Sequence, residues 1–289
     1  MVDAGILASA LVDGVMVGSV YAMVGVGLAL IWGVMEVINF AHGDYMMLGA
    51  LVAYFLHLAG FDPLLGLFAA FAAVFALGVL TQRAVINRIL DAPLLTQIAA
   101  TFAILLIIRY GVQAALGPYT RRIHVWYADV FYRAGPVTVP LPKLIAFAAS
   151  LIVAAALYVF LYRTNTGIAL RATSQNRAVA QLMGINVRRM YELAFGIGVG
   201  IAAVAGALLA LFYPIFPEMG GFFALIAFIV VVLGGFGSVF GAYVGGLIIG
   251  VVESVSALYI NPALKDVVAF IIFLVILLFR PTGLFGKGE

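Results

Sequence analysis

The chain has no cysteine. Disulfide bridges, thiolate nucleophiles and Cys-based metal sites are thereby excluded. Charge is nearly as scarce: 9% of the 289 residues are Asp, Glu, Lys or Arg, against 66% hydrophobic, and mean hydropathy is +1.22. A water-soluble domain cannot cover its surface with so few polar groups, so this composition specifies an integral membrane protein. No GxxxxGK[ST] phosphate loop occurs. The C-terminal GLFGKG has the wrong spacing, so the chain cannot hydrolyse ATP by that route. A basic leader is missing too. MVDAGILASALVDG carries Asp3 and Asp13 and no cation, which is wrong for a secretory signal and predicts a retained first helix.

What is present is a series of apolar runs at roughly 5–34, 44–59, 63–82, 94–116, 142–162, 191–213, 222–235, 239–259 and 266–280. Runs of this length between short polar gaps read as helices; a transmembrane barrel would show weaker alternating segments of about ten residues. The expectation is an all-α polytopic protein of about 8–9 transmembrane or broken helices. One domain spans 1–289, with no soluble extension. The runs 44–59 and 222–235 are short for a full crossing and are candidates for broken or re-entrant helices.

Orientation follows from the cations. Residues 163–190 hold Arg163, Arg171, Arg177, Arg188 and Arg189. With Arg83, Arg88, Arg280 and Lys287 they mark the inner side. Counting from these points places the N-terminus outside and the C-terminus inside. The loop 117–141 then lies outside despite Arg121, Arg122 and Arg133. Gly237, Gly241 and Gly245, then Gly246 and Gly250, recur every four residues, as do Gly198, Ala202, Gly206 and Ala210. Such ridges let helices approach closely in lipid.

Three polar features need explanation. Asp13, Arg109 and Glu253 lie inside apolar segments, where ionisable groups pair or face a cavity. Arg109 is expected to approach Asp13 or Glu253. Asn39, His42 and Asp44 cluster in VINFAHGDYMMLGA (37–50), with Glu36 just before. The set is poor for a transition metal, and no Ser or Cys accompanies it as a nucleophile, so no catalytic or metal site is expected. These residues either cap the next helix, with Asp44 in its first turn, or line a solute path or gate. LGGFGSVFG (233–241), with Gly234, Gly235, Gly237 and Ser238, is too glycine-rich for an unbroken helix. It is a second candidate for that path. HGDYMMLGALVAY also resembles FGSVFGAYVGGLI (236–248), a weak internal repeat.

The stretch 169–183 is expected to be one amphipathic helix with Val179, Leu182 and Met183 on its apolar face. Gly184 ends it and Asn186 begins the next segment. Its many Ala, Gln, Asn and Ser residues suit a protein socket better than a lipid surface. If transport is ATP-driven, the ATPase is another chain, attached at 165–190.

VMEVINFAHGDYMMLGALVAY (34–54), GIALRATSQNRAVAQLMGINV (167–187), LGGFGSVFGAYVGGLIIGVVES (233–254) and FRPTGLFG (279–286) together resemble the permease subunit of high-affinity branched-chain amino acid ABC importers, the LivH type. The resemblance runs over nearly the whole length. It implies a bacterial cytoplasmic (inner) membrane location, a second homologous permease subunit and two ATP-binding subunits that use ATP and Mg. It also implies a periplasmic solute-binding protein delivering Leu, Ile or Val, a lipid environment, and neither nucleic acid nor a cofactor held by this chain. Residues 171–184 become the coupling helix, with Arg171, Ser174, Asn176, Ala180, Leu182, Met183 and Gly184 at the contact. Ala180 to Gly184 take the place of the short Ala/Gly signature of ABC permeases, though the usual initial Glu is missing. Related permeases carry urea or short amides; Asp44 favours the amino acid branch. An ion-coupled secondary carrier is the remaining alternative.

Overall fold

A computed structural model describes residues 4–260, 262–280 and 282–286. Asp3 and Lys287, used above in reading the ends of the chain, lie outside the described residues. The bundle is helical: α1 (Ala4–Met35), α2 (His42–Leu58), α3 (Gly66–Ala84), α4 (Leu94–Leu116), α5 (Leu141–Arg163), α6 (Asn165–Gln175), α7 (Arg177–Leu182), α8 (Val187–Leu209), α9 (Met219–Gly234), α10 (Val239–Tyr259) and α11 (Lys265–Phe279). Among the described residues, six helices are long and apolar enough to cross a membrane. With α2, α9 and α11, at 17, 16 and 15 residues, they account for the nine apolar runs. The loop between α4 and α5 adds one element the sequence did not announce. The strands β1 (Phe131–Ala134) and β2 (Val137–Pro140) pair antiparallel about Gly135, whose φ is +61°.

The helices sort by how much of their surface meets protein. α1 is buried without interruption from Gly18 to Ile31, so protein surrounds it on all sides. α8 is nearly as enclosed. α3 buries only Gly66, Ala70, Val74, Gly78 and Gln82, a stripe at every fourth residue. α5 buries a similar stripe, and α4 only Thr101 and Leu105. The centre is therefore α1 and α8. The outer helices turn Leu, Ile and Phe toward lipid, which is as apolar as they are.

Close backbone contact substitutes for side-chain interlocking. Gly18 faces Gly246 and Gly250 across the α1–α10 seam, and a Cβ at Gly250 would lie 2.3 Å from Gly18 Cα. Further along, Gly33 meets Gly237, so the two helices run antiparallel over most of their length. α3 and α8 are antiparallel as well, with Phe71 against Gly200 at one end and Arg83 bound to Glu192 at the other.

Two interruptions shape the interior. α1 ends where Glu36 takes a left-handed φ of +57°, the one non-glycine residue among those described to do so. Residues 36–41 then leave the helix and climb back through the bundle. His42 Nε2–H donates to Val24 O at 2.9 Å, so α2 starts about 16 Å back from the end of α1, at 1.5 Å per residue. The second interruption is the expected glycine break. α9 stops at Gly234, Gly235 and Gly237 carry φ of +99° and +74°, and the Ser238 hydroxyl accepts from Gly241 N–H to start α10. The segment 282–286 seats on this break. Leu284 N–H donates to Leu233 O at 2.8 Å and Phe285 N–H to Gly234 O at 3.2 Å, supplying partners to carbonyls at the end of α9.

The α1–α10 seam gives a direct test by thermal unfolding in detergent. Gly250→Ala should cost about 1–3 kcal/mol because the added methyl meets backbone that cannot yield. Gly111→Ala, on α4 where nothing lies within 4 Å, should be neutral or stabilising by up to about 1 kcal/mol.

Candidate functional site

The polar cluster of the first interruption is fully buried. Asn39, His42 and Asp44 each have 0% exposure. Three helices wall it. α4 runs alongside, with Thr101 donating to Ile38 O at 2.9 Å and Arg109 reaching Asp44. α9 runs along the other side in the opposite sense. Gly220 packs on the Asp44 carboxylate, Phe228 meets the Phe40 ring at 5.3 Å, and Phe236 meets Trp32 at 4.9 Å. The third wall is α1, through the His42–Val24 bond. An extended stretch of backbone is tolerated at membrane depth only when protein encloses it in this way.

Asp44 is the electrostatic centre of the cluster. Its two oxygens accept from Arg109 Nε at 3.0 Å and a terminal guanidinium nitrogen at 3.1 Å, a forked pair. Asp44 sits in the first turn of α2, as expected, and it also lies against the first turn of α9. Gly220 leaves the space. A Cβ there would come within 2.7 Å of the Asp44 carboxylate and 2.9 Å of its Cα.

The expected pairing of Arg109 with Asp13 or Glu253 is corrected. Arg109 binds Asp44. Asp13 binds Lys143 at the start of α5, and Glu253 accepts from Tyr21 OH at 2.9 Å with Lys265 Nζ at 3.7 Å. Both acids have a lysine at the helix boundary beside them, whereas Arg109 is deep in α4 at the level where α2 and α9 begin. Reading Asp44 as a helix cap or a path-lining group left it out of the search for a partner to Arg109. Lys143 and Lys265 were legible as cations at the mouths of apolar runs, but neither was matched to its acid.

Of the second candidate path, Gly234, Gly235, Gly237 and Ser238 form the α9–α10 break itself. They contact α10, Gly33 and the segment 282–286, and do not join the Asn39 cluster. Three polar atoms of the first cluster are buried with no hydrogen-bond partner: both amide atoms of Asn39 and His42 Nδ1.

The loop 164–186 differs from its expected form. The single helix over 169–183 is two, α6 and α7, divided at Asn176. The Asn176 Oδ1 accepts from Ala178 N–H and Val179 N–H, which makes it a start signal inside the stretch. Gly184, with φ +82°, ends α7 as expected, and Asn186 caps α8. Arg171 donates to Leu161 O and stacks on Tyr162 at 4.3 Å; Ser174 donates to Arg171 O; Ala180 is buried. These residues brace the loop. Leu182 (86% exposed) and Met183 (78%) project from it, with Val179 beside them. Arg177 binds Asp91 at 2.8 Å and ties the loop to the 83–93 turn. At the opposite end of the bundle, Tyr127 OH donates to Asp62 Oδ1 and pins the α4–α5 loop to the α2–α3 turn. Burial, and then the Asp62 carboxylate, hold this phenol above its ordinary pKa.

Breaking the central pair from one side should be costly. Arg109→Ala leaves Asp44 charged and buried, and should lower the stability of the detergent-solubilised protein by about 3–5 kcal/mol. Adding Asp44→Asn should recover most of the loss in thermal unfolding.

Residues 10–277 match the family described as "Branched-chain amino acid transport system / permease component". The chain is 33% identical over 293 residues to the high-affinity branched-chain amino acid transport system permease protein BraD of Pseudomonas aeruginosa, covering 96% of this chain and 95% of that one. LivH of Escherichia coli K12 is 31% identical, covering 96% and 94%. A probable LivH of Methanocaldococcus jannaschii is 31% identical, covering 91% and 88%. The helical bundle, its buried polar break and these similarities agree: the chain belongs to the family of branched-chain amino acid transport permeases.

Proposed function

We propose that this chain is the membrane-spanning subunit of an ATP-driven importer for Leu, Ile and Val in a bacterial cytoplasmic membrane. The carrying observation is the α6–α7 projection. Leu182, Met183 and Val179 stand exposed on a braced loop at the arginine-rich end of the bundle, and the sequence has no phosphate loop of its own. An apolar knob on a rigid, polar mount suits a groove on a partner protein. The partner supplying the energy is an ATP-binding subunit working with Mg, one for this permease and one for a homologous second permease. A solute-binding protein delivers the amino acid at the opposite face. The bundle itself performs no bond chemistry. It opens and closes a route for the solute, and α2 and α9, which begin part-way along the bundle, are the elements suited to gating.

The proposed orientation places α6–α7 and the 83–93 turn inside and the β1–β2 hairpin outside. Segment 282–286 sits on the α9–α10 break, which lies beside Gly33 at the far end of α1 from Ala4, and this supports the two ends of the chain lying on opposite sides.

The absence of native cysteine makes the orientation easy to test. A single cysteine at Ser174 should resist a membrane-impermeant maleimide in intact cells, while one at Thr138 should react. For the coupling, Leu182→Asp combined with Met183→Asp should leave the permease folded. It should lower co-purification of the ATP-binding subunit and solute-stimulated ATP hydrolysis by at least about tenfold, as a loss of roughly 1.4 kcal/mol or more requires.

A further inference from the structure

The start of α2 carries a set of hydrogen-bonding atoms that the folded chain leaves unused. Asn39 is fully buried and neither its Nδ2 nor its Oδ1 has a partner. His42 is fully buried as well. Because its Nε2 donates to a carbonyl, Val24 O, the ring must keep its proton there, and Nδ1 is left as a bare acceptor with no partner. No side chain caps α2. His42 N–H is taken by Asn39 O, and Asp44 and Tyr45 N–H both by Ala41 O, which leaves the Gly43 N–H between them without a bond. Buried polar groups are nearly always satisfied, and four such atoms within five residues mark a place built for something other than the resting fold.

The charge at this place states what that something is. Arg109 contributes one positive charge and Asp44 cancels it. The N-termini of α2 and α9 meet at Asp44; that of α2 adds about half a positive charge, while that of α9 is offset by Glu218, its exposed N-cap residue. The balance is positive, so an anionic group is favoured there. Beside it, His42 Nδ1 and Asn39 Oδ1 can only accept, which suits a group rich in N–H. A carboxylate next to an ammonium is the head of an α-amino acid.

We propose that the start of α2 is the site that receives the zwitterionic head of the transported solute. Gly43 N–H and Asn39 Nδ2 donate to the carboxylate, while His42 Nδ1 and Asn39 Oδ1 accept from the ammonium. The inference rests on the transport role proposed above and adds the residues that recognise the solute. Access arises where α1 and α8 touch. A Cβ at Gly27 would lie 2.3 Å from Gly198 O and 3.2 Å from His42 Cε1, so a small separation of these helices uncovers the imidazole. Between passages of solute the atoms stay unpaired, and the resting protein carries that cost.

The test uses the assembled importer in proteoliposomes, with labelled leucine, ATP and the solute-binding protein. Asn39→Leu keeps the size of the side chain and removes its polar atoms. Uptake should fall roughly 10- to 100-fold, the worth of hydrogen bonds to a charged group, while the melting temperature of the permease holds or rises because buried unpaired atoms are gone. His42→Gln keeps a donor for Val24 O and replaces the Nδ1 acceptor by an amide oxygen set at a different position. It should raise the leucine concentration needed for half-maximal uptake with little change in melting temperature. Wild-type uptake with either variant overturns the proposal. So does a lower melting temperature or failed assembly in Asn39→Leu, which identifies Asn39 as a structural group satisfied by internal water. No ATP-dependent leucine uptake by the wild-type assembly would instead overturn the transport role, so the two failures are distinguishable.

Discussion

Backbone that is not helical cannot face hydrocarbon, because each free N–H and C=O would go unsatisfied. Residues 36–41 impose this constraint on the whole chain. The stretch lies deep in the bundle, so α1, α4 and α9 must pack around it, and those helices must then be placed by others. α10 holds α1 through a glycine seam, α8 backs α1 and α2, and α3 clasps α8. The most buried helices, α1 and α8, thus lie at or behind the interruption, while α4 walls it along one narrow stripe and turns the rest of its surface outward.

The same arrangement separates two kinds of ionic contact. Arg83–Glu192 and Arg177–Asp91 lie at the polar end of the bundle, where water screens them and such pairs add little. Asp44–Arg109 lies where the carboxylate has no exposure at all. Its worth is in geometry: it fixes the depth at which α2 and α9 begin by joining both to α4. Asp13–Lys143 and Glu253–Lys265 are intermediate, joining α1 to α5 and α10 to α11 near the helix mouths.

Much of this was legible in the residues, because lipid makes composition strict. Nine apolar runs became nine helices, six of them, among the described residues, long enough to cross. The glycine spacing in 237–250 became the α1–α10 seam, and 233–241 broke as its glycine content required. The cluster at 39–44 was read as an interruption followed by a helix, and that is its form. What could not be read was which helix lies beside which. Arg109 had three acids at comparable depth, and only packing selects Asp44. Asn176 looked like one polar residue among many in a helical stretch. Its capping role depends on a backbone turn that periodicity does not record. The β1–β2 hairpin is short and its apolar alternation slight. The two stretches suspected of being a repeat, from His42 and from Phe236, do each open a helix after a break, α2 and α10.

The segment 282–286 lends its N–H groups to carbonyls of Leu233 and Gly234, about fifty residues earlier in the chain. During synthesis at about 5–20 residues per second, those carbonyls leave the ribosome several seconds before their partners do. The end of α9 must pass this interval bonded to water at the membrane surface or to the insertion machinery. Completion of that corner of the bundle therefore waits for the segment that follows α11, and an arrest of translation after α10 would leave a permease whose second break stands open.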